Sequence, residues 1–286
     1  MIAERGMRRS LAAIVDRFFL EEASATSELP SQSLRDLLLP LLQMVSESDS
    51  LRADSLGYWR SGGDLFFLPR FVFQRTEWAK PRIKVGIFAG LHGDEPGGIL
   101  GLIRLIRTLH AHPSVGREYQ LWLYPVCNPS GYADGTRQSR GGRDLNREFW
   151  KNSAEPEVQL LERELQGHRF NGIISLHCDD VSDGVRGFVN GSSMSQYLLK
   201  RALAAAERAL PSNAASRING FHALNGSIAS RENGAFQAPP EQKAAPFEIA
   251  LEVPQRAPLQ LQAHAFLFAL HEILASYRRI SFADEA

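Results

Sequence analysis

Cysteine is scarce: among 286 residues only Cys127 and Cys178 carry a thiol, and they lie far apart in strand-like apolar runs. That excludes a disulfide framework and a four-cysteine zinc module, and it leads us to expect a reducing, cytoplasmic setting. Excess charge of either sign is absent too, since 32 basic residues balance 32 acidic ones. A chain without a basic surplus lacks the electrostatic footprint of a general nucleic-acid binder, and one without an acidic surplus gives no reason to expect a solvating tail. No apolar run approaches the roughly 18 residues of a membrane span. After Arg5, Arg8 and Arg9, the run Leu11 to Val15 is broken by Asp16 and Arg17, too short for a signal-peptide core. With nucleic acid and membrane set aside, the expected partner is small. What the chain does have, 44% hydrophobic and 22% charged residues, is the balance of a protein that buries a core.

Two apolar stripes at helical spacing open the chain: Leu11, Ile14, Val15 and Phe18, then Leu34, Leu37, Leu38, Leu41 and Leu42. Aromatic runs on either side of Ser61-Gly62-Gly63-Asp64 predict a β-hairpin with a glycine turn. From residue 82 strands alternate with helices. Strands are expected at 84–89, 119–126, 172–176 and 247–253, and helices at 96–110, 156–167, 195–209 and 258–280. The alternation predicts an α/β fold, a mixed and largely parallel sheet with helices on both faces, whose ligands bind where strands run out into loops. We divide the chain into an N-terminal helical and hairpin extension, 1–75, and a main domain, 76–286. Ile218 to Pro246 is the longest expected irregular segment, of a kind that shapes sites.

Three segments carry chemistry. In Gly90-Leu91-His92-Gly93-Asp94-Glu95-Pro96, an imidazole and a carboxylate stand three residues apart on glycine-loosened backbone between a strand and a helix, so both can turn toward one cation. His177, just past the apolar run Ile173 to Leu176, supplies the third ligand that makes an open metal site with one position left for water. The remaining six histidines have no such context. The third segment holds four arginines, Arg137, Arg140, Arg143 and Arg147, interleaved with glycine, which suits a loop that offers guanidinium groups to an anion. Beside them Asn146 and Arg147 place an amide and a guanidinium where they can grip one carboxylate.

His-x-x-Glu at 92–95, Asn-Pro-x-Gly at 128–131, Asp-Leu-Asn-Arg at 144–147, the post-strand His177 and Leu-Glu at 251–252 form an ordered set. In it the chain resembles the zinc carboxypeptidase superfamily, near its succinylglutamate desuccinylase and aspartoacylase branch and compact bacterial amidases. The likeness spans about residues 82–280. It implies one zinc ion on His92, Glu95 and His177, with Glu252 as the general base that activates water and Asp144 as the carboxylate that orients His92. It also implies Asn146 and Arg147 as the grip on the substrate's terminal carboxylate. An upstream arginine would stabilise the oxyanion, either Arg137 or Arg140. Gly135-Thr136-Arg137 favours Arg137, leaving Arg140 with the substrate anion. The implied activity is hydrolysis of an amide next to a free carboxylate, in a short peptide or in an N-acyl amino acid. A metal-bearing binding protein without turnover is the reading of another class. Two departures stand out. No tyrosine occurs between Tyr197 and Tyr277, where peptide-cleaving members carry one on a mobile loop, and only 82 residues separate Glu95 from His177. Asp179, Asp180 and Asp183 follow the third ligand and could face a cationic group on the substrate.

Overall fold

Near-continuous burial along the strands at 83–89, 172–179 and 247–254 gives a sheet with two covered faces. The structure is a computed structural model that describes residues 34–75, 83–181, 183–190, 192–218, 220–229 and 236–283. The expected stripe Leu11 to Phe18 lies outside the described residues.

In chain order the elements are α1 (Leu34–Ser46), β1 (Leu51–Ser61), β2 (Asp64–Phe73), β3 (Ile83–Ala89), α2 (Pro96–Ala111), β4 (Tyr119–Tyr124) and α3 (Pro129–Asp134). Then follow α4 (Pro156–His168), β5 (Gly172–Asp179), β6 (Arg186–Val189), α5 (Ser193–Ala206), the two-residue strands β7 (Arg217–Ile218), β8 (Phe221–His222) and β9 (Ser227–Ile228), β10 (Phe247–Pro254) and α6 (Leu259–Ser281). Eight strands form one sheet in the order β1-β2-β4-β3-β5-β10-β6-β9. Its centre, β4-β3-β5-β10, is parallel, and β2 and β6 flank it antiparallel. This is the mixed, largely parallel α/β sheet expected.

One face carries Val85, Ile87 and Ala89 of β3, Ile174, Leu176 and Cys178 of β5, and Ile249, Leu251 and Val253 of β10, packed with apolar residues of α1, α2, α5 and α6. The residues between them point the other way, as the period of two requires. There Phe88 and Ile173 meet Tyr124, Phe170, Phe236 and the inner side of α4, with Phe88 stacked on Tyr124 at 4.4 Å. Cys178 therefore faces away from His177 and is buried against Gln262, 3.3 Å from its Oε1, as its neighbour's position on the strand predicts.

The hairpin forms where the glycines stand. Gly62 and Gly63 have φ of 59° and 92°, a conformation that suits residues without a Cβ. β2 pairs with β4, and the leucines of α1 join the same core as α2, so residues 34–75 extend the central sheet at its edge.

Candidate metal centre

The parallel strands β3, β5 and β10 end on the same side of the sheet, and the loop after β3 and the ends of β5 and β10 bring the expected residues together. His92 and Glu95 lie on the loop between β3 and α2, with Glu95 at the helix's N-terminal boundary and Pro96 as its first residue. Gly93 is required there. A Cβ on it would lie 2.0 Å from the carbonyl carbon of Gly131, so the two backbones are in direct apposition. Asn128, fully buried, ties this loop to the arginine segment: its Nδ2 lies 3.4 Å from the carbonyl oxygens of both Leu91 and Arg137, and its Oδ1 accepts from the Gly131 N–H at 2.8 Å.

His92, Glu95 and His177 are buried, and one ligand atom from each lies within 4.8 Å of the others. Nδ1 of His92 is 2.6 Å from Glu95 Oε1, Nδ1 of His177 is 3.2 Å from Glu95 Oε2, and the two ring nitrogens are 3.4 Å apart. The backbone N–H of Cys178 donates to Glu95 Oε2 at 3.0 Å, which fixes the carboxylate. On the far side of the His92 ring, Nε2 lies 3.0 Å from Asp144 Oδ1, the place a carboxylate takes to hold a metal-binding imidazole in one tautomer. With the Nε2 proton held there, Nδ1 would present its lone pair to a bound cation once its own proton, shared with Glu95, is displaced.

Burial alone would lower the pKa of His92, but its hydrogen bonds to Asp144 and Glu95 outweigh that and hold it up at about 9. Burial pushes Glu95 up, and the hydrogen bonds from His177 and His92 more than reverse it, bringing its pKa down to about 2. Asp144 is likewise held below the usual carboxylate range, burial being outweighed by His92 and Arg137. The surroundings thus favour positive charge among these groups. The donors fit a divalent cation: two imidazole nitrogens facing one another beside a carboxylate, with a carboxylate behind one ring.

A cavity of about 410 Å³ opens in front of the cluster. It is lined by five carboxylates, Asp94, Glu95, Asp179, Asp180 and Glu252, against three guanidiniums, Arg137, Arg147 and Arg186. Glu252 sits beside His177 in the β10–β5 register. Asn146 lies in the short 3-10 turn Leu145–Arg147, which Asp144 caps by accepting from the Asn146 N–H at 3.0 Å. The Phe236 N–H donates to Asn146 Oδ1 at 2.9 Å, so the amide's NH₂ remains to donate toward the cavity. Arg137 is 3.1 Å from Asp144 Oδ2 through Nη2 and 3.5 Å from Glu95 Oε1 through Nη1.

Arg140 goes elsewhere. It is expected at the substrate anion or the oxyanion, yet its guanidinium bonds Asp134, Asp64 at 2.6 Å and the Ser61 carbonyl at 3.0 Å, lies over Phe66, and does not line the cavity. Two carboxylates, one on the β1–β2 turn and one at the end of α3, pull it to the hairpin side. Asp183 also lies outside this cavity, and Asp179 is engaged by Arg186 at 2.9 Å.

Sequence reasoning does not find Arg186, on a strand of four residues, or Phe236, inside the segment expected to be irregular. The alternation Arg186-Gly187-Phe188, set against Ala250 and Glu252, is the signal that points to the arginine.

No curated protein matches the chain in sequence. Solved structures share its fold. A candidate metallopeptidase from Shewanella denitrificans OS217 superposes with a TM-score of 0.71 at 20% identity, covering 88% of this chain and 98% of that one. A metallo-carboxypeptidase from Pseudomonas aeruginosa, in complex with (2-guanidinoethylmercapto)succinic acid, gives 0.68 at 16% identity over 87% and 70% of the two chains. Carboxypeptidase A from Helicoverpa armigera gives 0.66 at 16% identity over 96% and 80%. Residues 81–265, well over half of the chain, match the succinylglutamate desuccinylase/aspartoacylase catalytic domain. The chain belongs to that family and shares its fold with metallo-carboxypeptidases.

Proposed function

We propose that this protein is a zinc-dependent hydrolase that cleaves an amide bond next to a free carboxylate, with residues 76–286 as the catalytic domain and 1–75 as an extension of it. One observation carries the reading: a buried His92–Glu95–His177 cluster opens onto a cavity that also holds Glu252, Arg137, Asn146 and Arg147. Two nitrogens and one carboxylate are a zinc-type ligand set. A zinc ion held by them supplies Lewis acidity, making water more acidic and the scissile carbonyl more electrophilic.

The chain's own residues do the rest. Glu252 takes a proton from the attacking water and passes it to the leaving nitrogen. Arg137, tethered by Asp144, donates hydrogen bonds to the carbonyl oxygen as negative charge develops on it. The Asn146 amide and the Arg147 guanidinium bind the substrate's carboxylate and so fix the distance from anion to scissile bond. Asp144 keeps the His92 ring oriented and the 3-10 turn closed.

Within this chemistry the substrate is a short peptide with a free C-terminus or an N-acyl amino acid. The family match supports N-acyl amino acid deacylation, and the fold shared with carboxypeptidases supports the peptide. The succinic acid derivative on the Pseudomonas enzyme, a small carboxylate, agrees with either. No helix among the described residues is long and apolar enough to cross a membrane, and both cysteines are buried and unpaired, in keeping with a cytoplasmic reaction on a small substrate.

The test is a matched panel of N-acyl amino acids and C-terminal dipeptides, each also offered as its carboxamide. Turnover that requires the free carboxylate, and that falls about 10²–10⁴-fold in Glu252→Gln while the metal stays bound, supports the reading. Equal turnover of acids and carboxamides, or an unaffected Glu252→Gln protein, refutes it.

A further inference from the structure

The cavity contains one guanidinium that the mechanism above leaves without a task. Arg186 opens β6, directly opposite Glu252 in the antiparallel β6–β10 register. Its side chain is 5% exposed. Nε and Nη2 each lie 2.6 Å from the same oxygen, Glu252 Oε2, and Nη2 lies 2.9 Å from Asp179 Oδ2. Phe188, two residues on and therefore on the same face, backs the group at 5.7 Å from its ring centroid. Both contacts of Arg186 with Glu252 fall on Oε2, and Oε1 accepts no hydrogen bond from the described residues.

That asymmetry has a chemical meaning. The hydrogen bond from Nε and the ion-pair contact of Nη2 both engage Oε2 and leave Oε1 to accept a proton. Glutamate has three rotatable side-chain bonds, and ordering it on its own costs rotamer entropy. A buried guanidinium anchored at a second carboxylate removes that freedom in advance. Arg147, Asn146 and Arg137 already account for the substrate's carboxylate and the oxyanion, so a further cation is not needed for either.

We propose that Arg186 is a positioning residue for the general base: it fixes Glu252 Oε2, so that Oε1 alone faces the cavity and accepts the proton. Arg186 stays protonated throughout. Oε1 gains the proton that water loses and returns it to the leaving nitrogen. The inference rests on Glu252 being the base, but the placement of the carboxylate does not depend on any activity.

Two measurements on the metal-loaded protein test it. Crystal structures of Arg186→Ala and Arg186→Lys are expected to show the Glu252 carboxylate displaced or spread over several rotamers, and guanidinium ion soaked into Arg186→Ala is expected to restore it. In kinetics with the best substrate from the panel, Arg186→Ala is expected to lose about 10²-fold in kcat with KM kept within about threefold, and to recover at least about tenfold with guanidinium. If Arg186→Ala does not fold, Arg186→Lys decides, with a reduced kcat, an unchanged KM and a moved Glu252. An unmoved Glu252 in a folded variant overturns the proposal. So does a raised KM with kcat intact, which would make Arg186 a substrate receptor instead. A wild-type protein inactive on the whole panel overturns the hydrolase reading, and the crystal structures still decide where Glu252 is held.

Discussion

Replacing Asp144 probes the centre from outside it. One oxygen of this carboxylate, Oδ1, meets His92 Nε2 at 3.0 Å and the Asn146 N–H at 3.0 Å, while Oδ2 meets Arg137 at 3.1 and 3.3 Å. Asp144→Ala thus frees the His92 ring, unties Arg137 and uncaps the turn that presents Asn146 and Arg147. Outer partners of metal-bound histidines are worth about 10–100-fold in metal affinity, or about 1.4–2.7 kcal/mol, and loss of a cap costs about 1 kcal/mol of stability. Asp144→Asn keeps an acceptor for the Nε2 proton but removes the charge, so its loss is expected near the tenfold end. The assay is competition for zinc against a chromophoric chelator at fixed pH, with His92→Ala as the reference for a lost ligand and thermal unfolding of each metal-free protein to account for the cap. The expected order of affinity is wild type, then Asp144→Asn, then Asp144→Ala. If Asp144→Ala binds zinc within twofold of wild type, Nε2 is not the anchored edge of the ring and the centre described here is wrong.

Further outcomes follow from single contacts. Arg147→Ala is expected to raise KM for acid substrates by at least tenfold. Arg140→Ala should leave KM within twofold and cost about 1 kcal/mol of stability, because its ion pairs hold the hairpin to α3 near the surface. Gly93→Ala puts a Cβ 2.0 Å from backbone that cannot yield, so loss of soluble protein or destabilisation beyond about 3 kcal/mol is expected by chemical denaturation, and a stable variant would show that the two loops are not apposed. Burial raises the pKa of Glu157, which accepts from Ser130 at 2.8 Å. The folded state therefore holds this proton more tightly than the unfolded chain, and stability falls as pH rises past the ordinary glutamate range. Glu157→Gln, which keeps a bond to the Ser130 hydroxyl, should unfold at higher temperature than wild type at pH 7 and lose that advantage at pH 4.

The parallel centre of the sheet and the long helices were legible because burial leaves a period in the sequence: Ile174-Leu176-Cys178 and Ile249-Leu251-Val253 supply one face, and Leu37, Leu38, Leu41 and Leu42 one side of a helix. Two residues of the cluster, His92 and Glu95, were legible because they stand on a glycine-loosened loop after a strand. His177, expected just past the strand at 172–176, lies inside β5, which runs on to Asp179, and its direction is set by strand alternation. Arg140 shows where such reasoning stops. Spacing puts it in the right segment, but its direction is decided by Asp64, 76 residues away in the chain, and no local pattern contains that partner. Arg186 was hidden for the complementary reason. A four-residue strand has too few residues to show a period, and its pairing with Glu252 exists only once β6 has turned back along β10. Phe236 likewise takes its place by packing against Phe88 and Phe149, contacts set by the sheet and not by its neighbours in sequence.

The most direct measurement is an anomalous difference map from crystals of the purified protein, collected on both sides of the zinc absorption edge. A single peak per chain, bounded by Nδ1 of His92, the Glu95 carboxylate and Nδ1 of His177, and absent in His177→Ala, is the predicted result. A map without that peak from zinc-supplemented protein, or a peak at other residues, would contradict the assignment of a metal-dependent hydrolytic centre to this cavity.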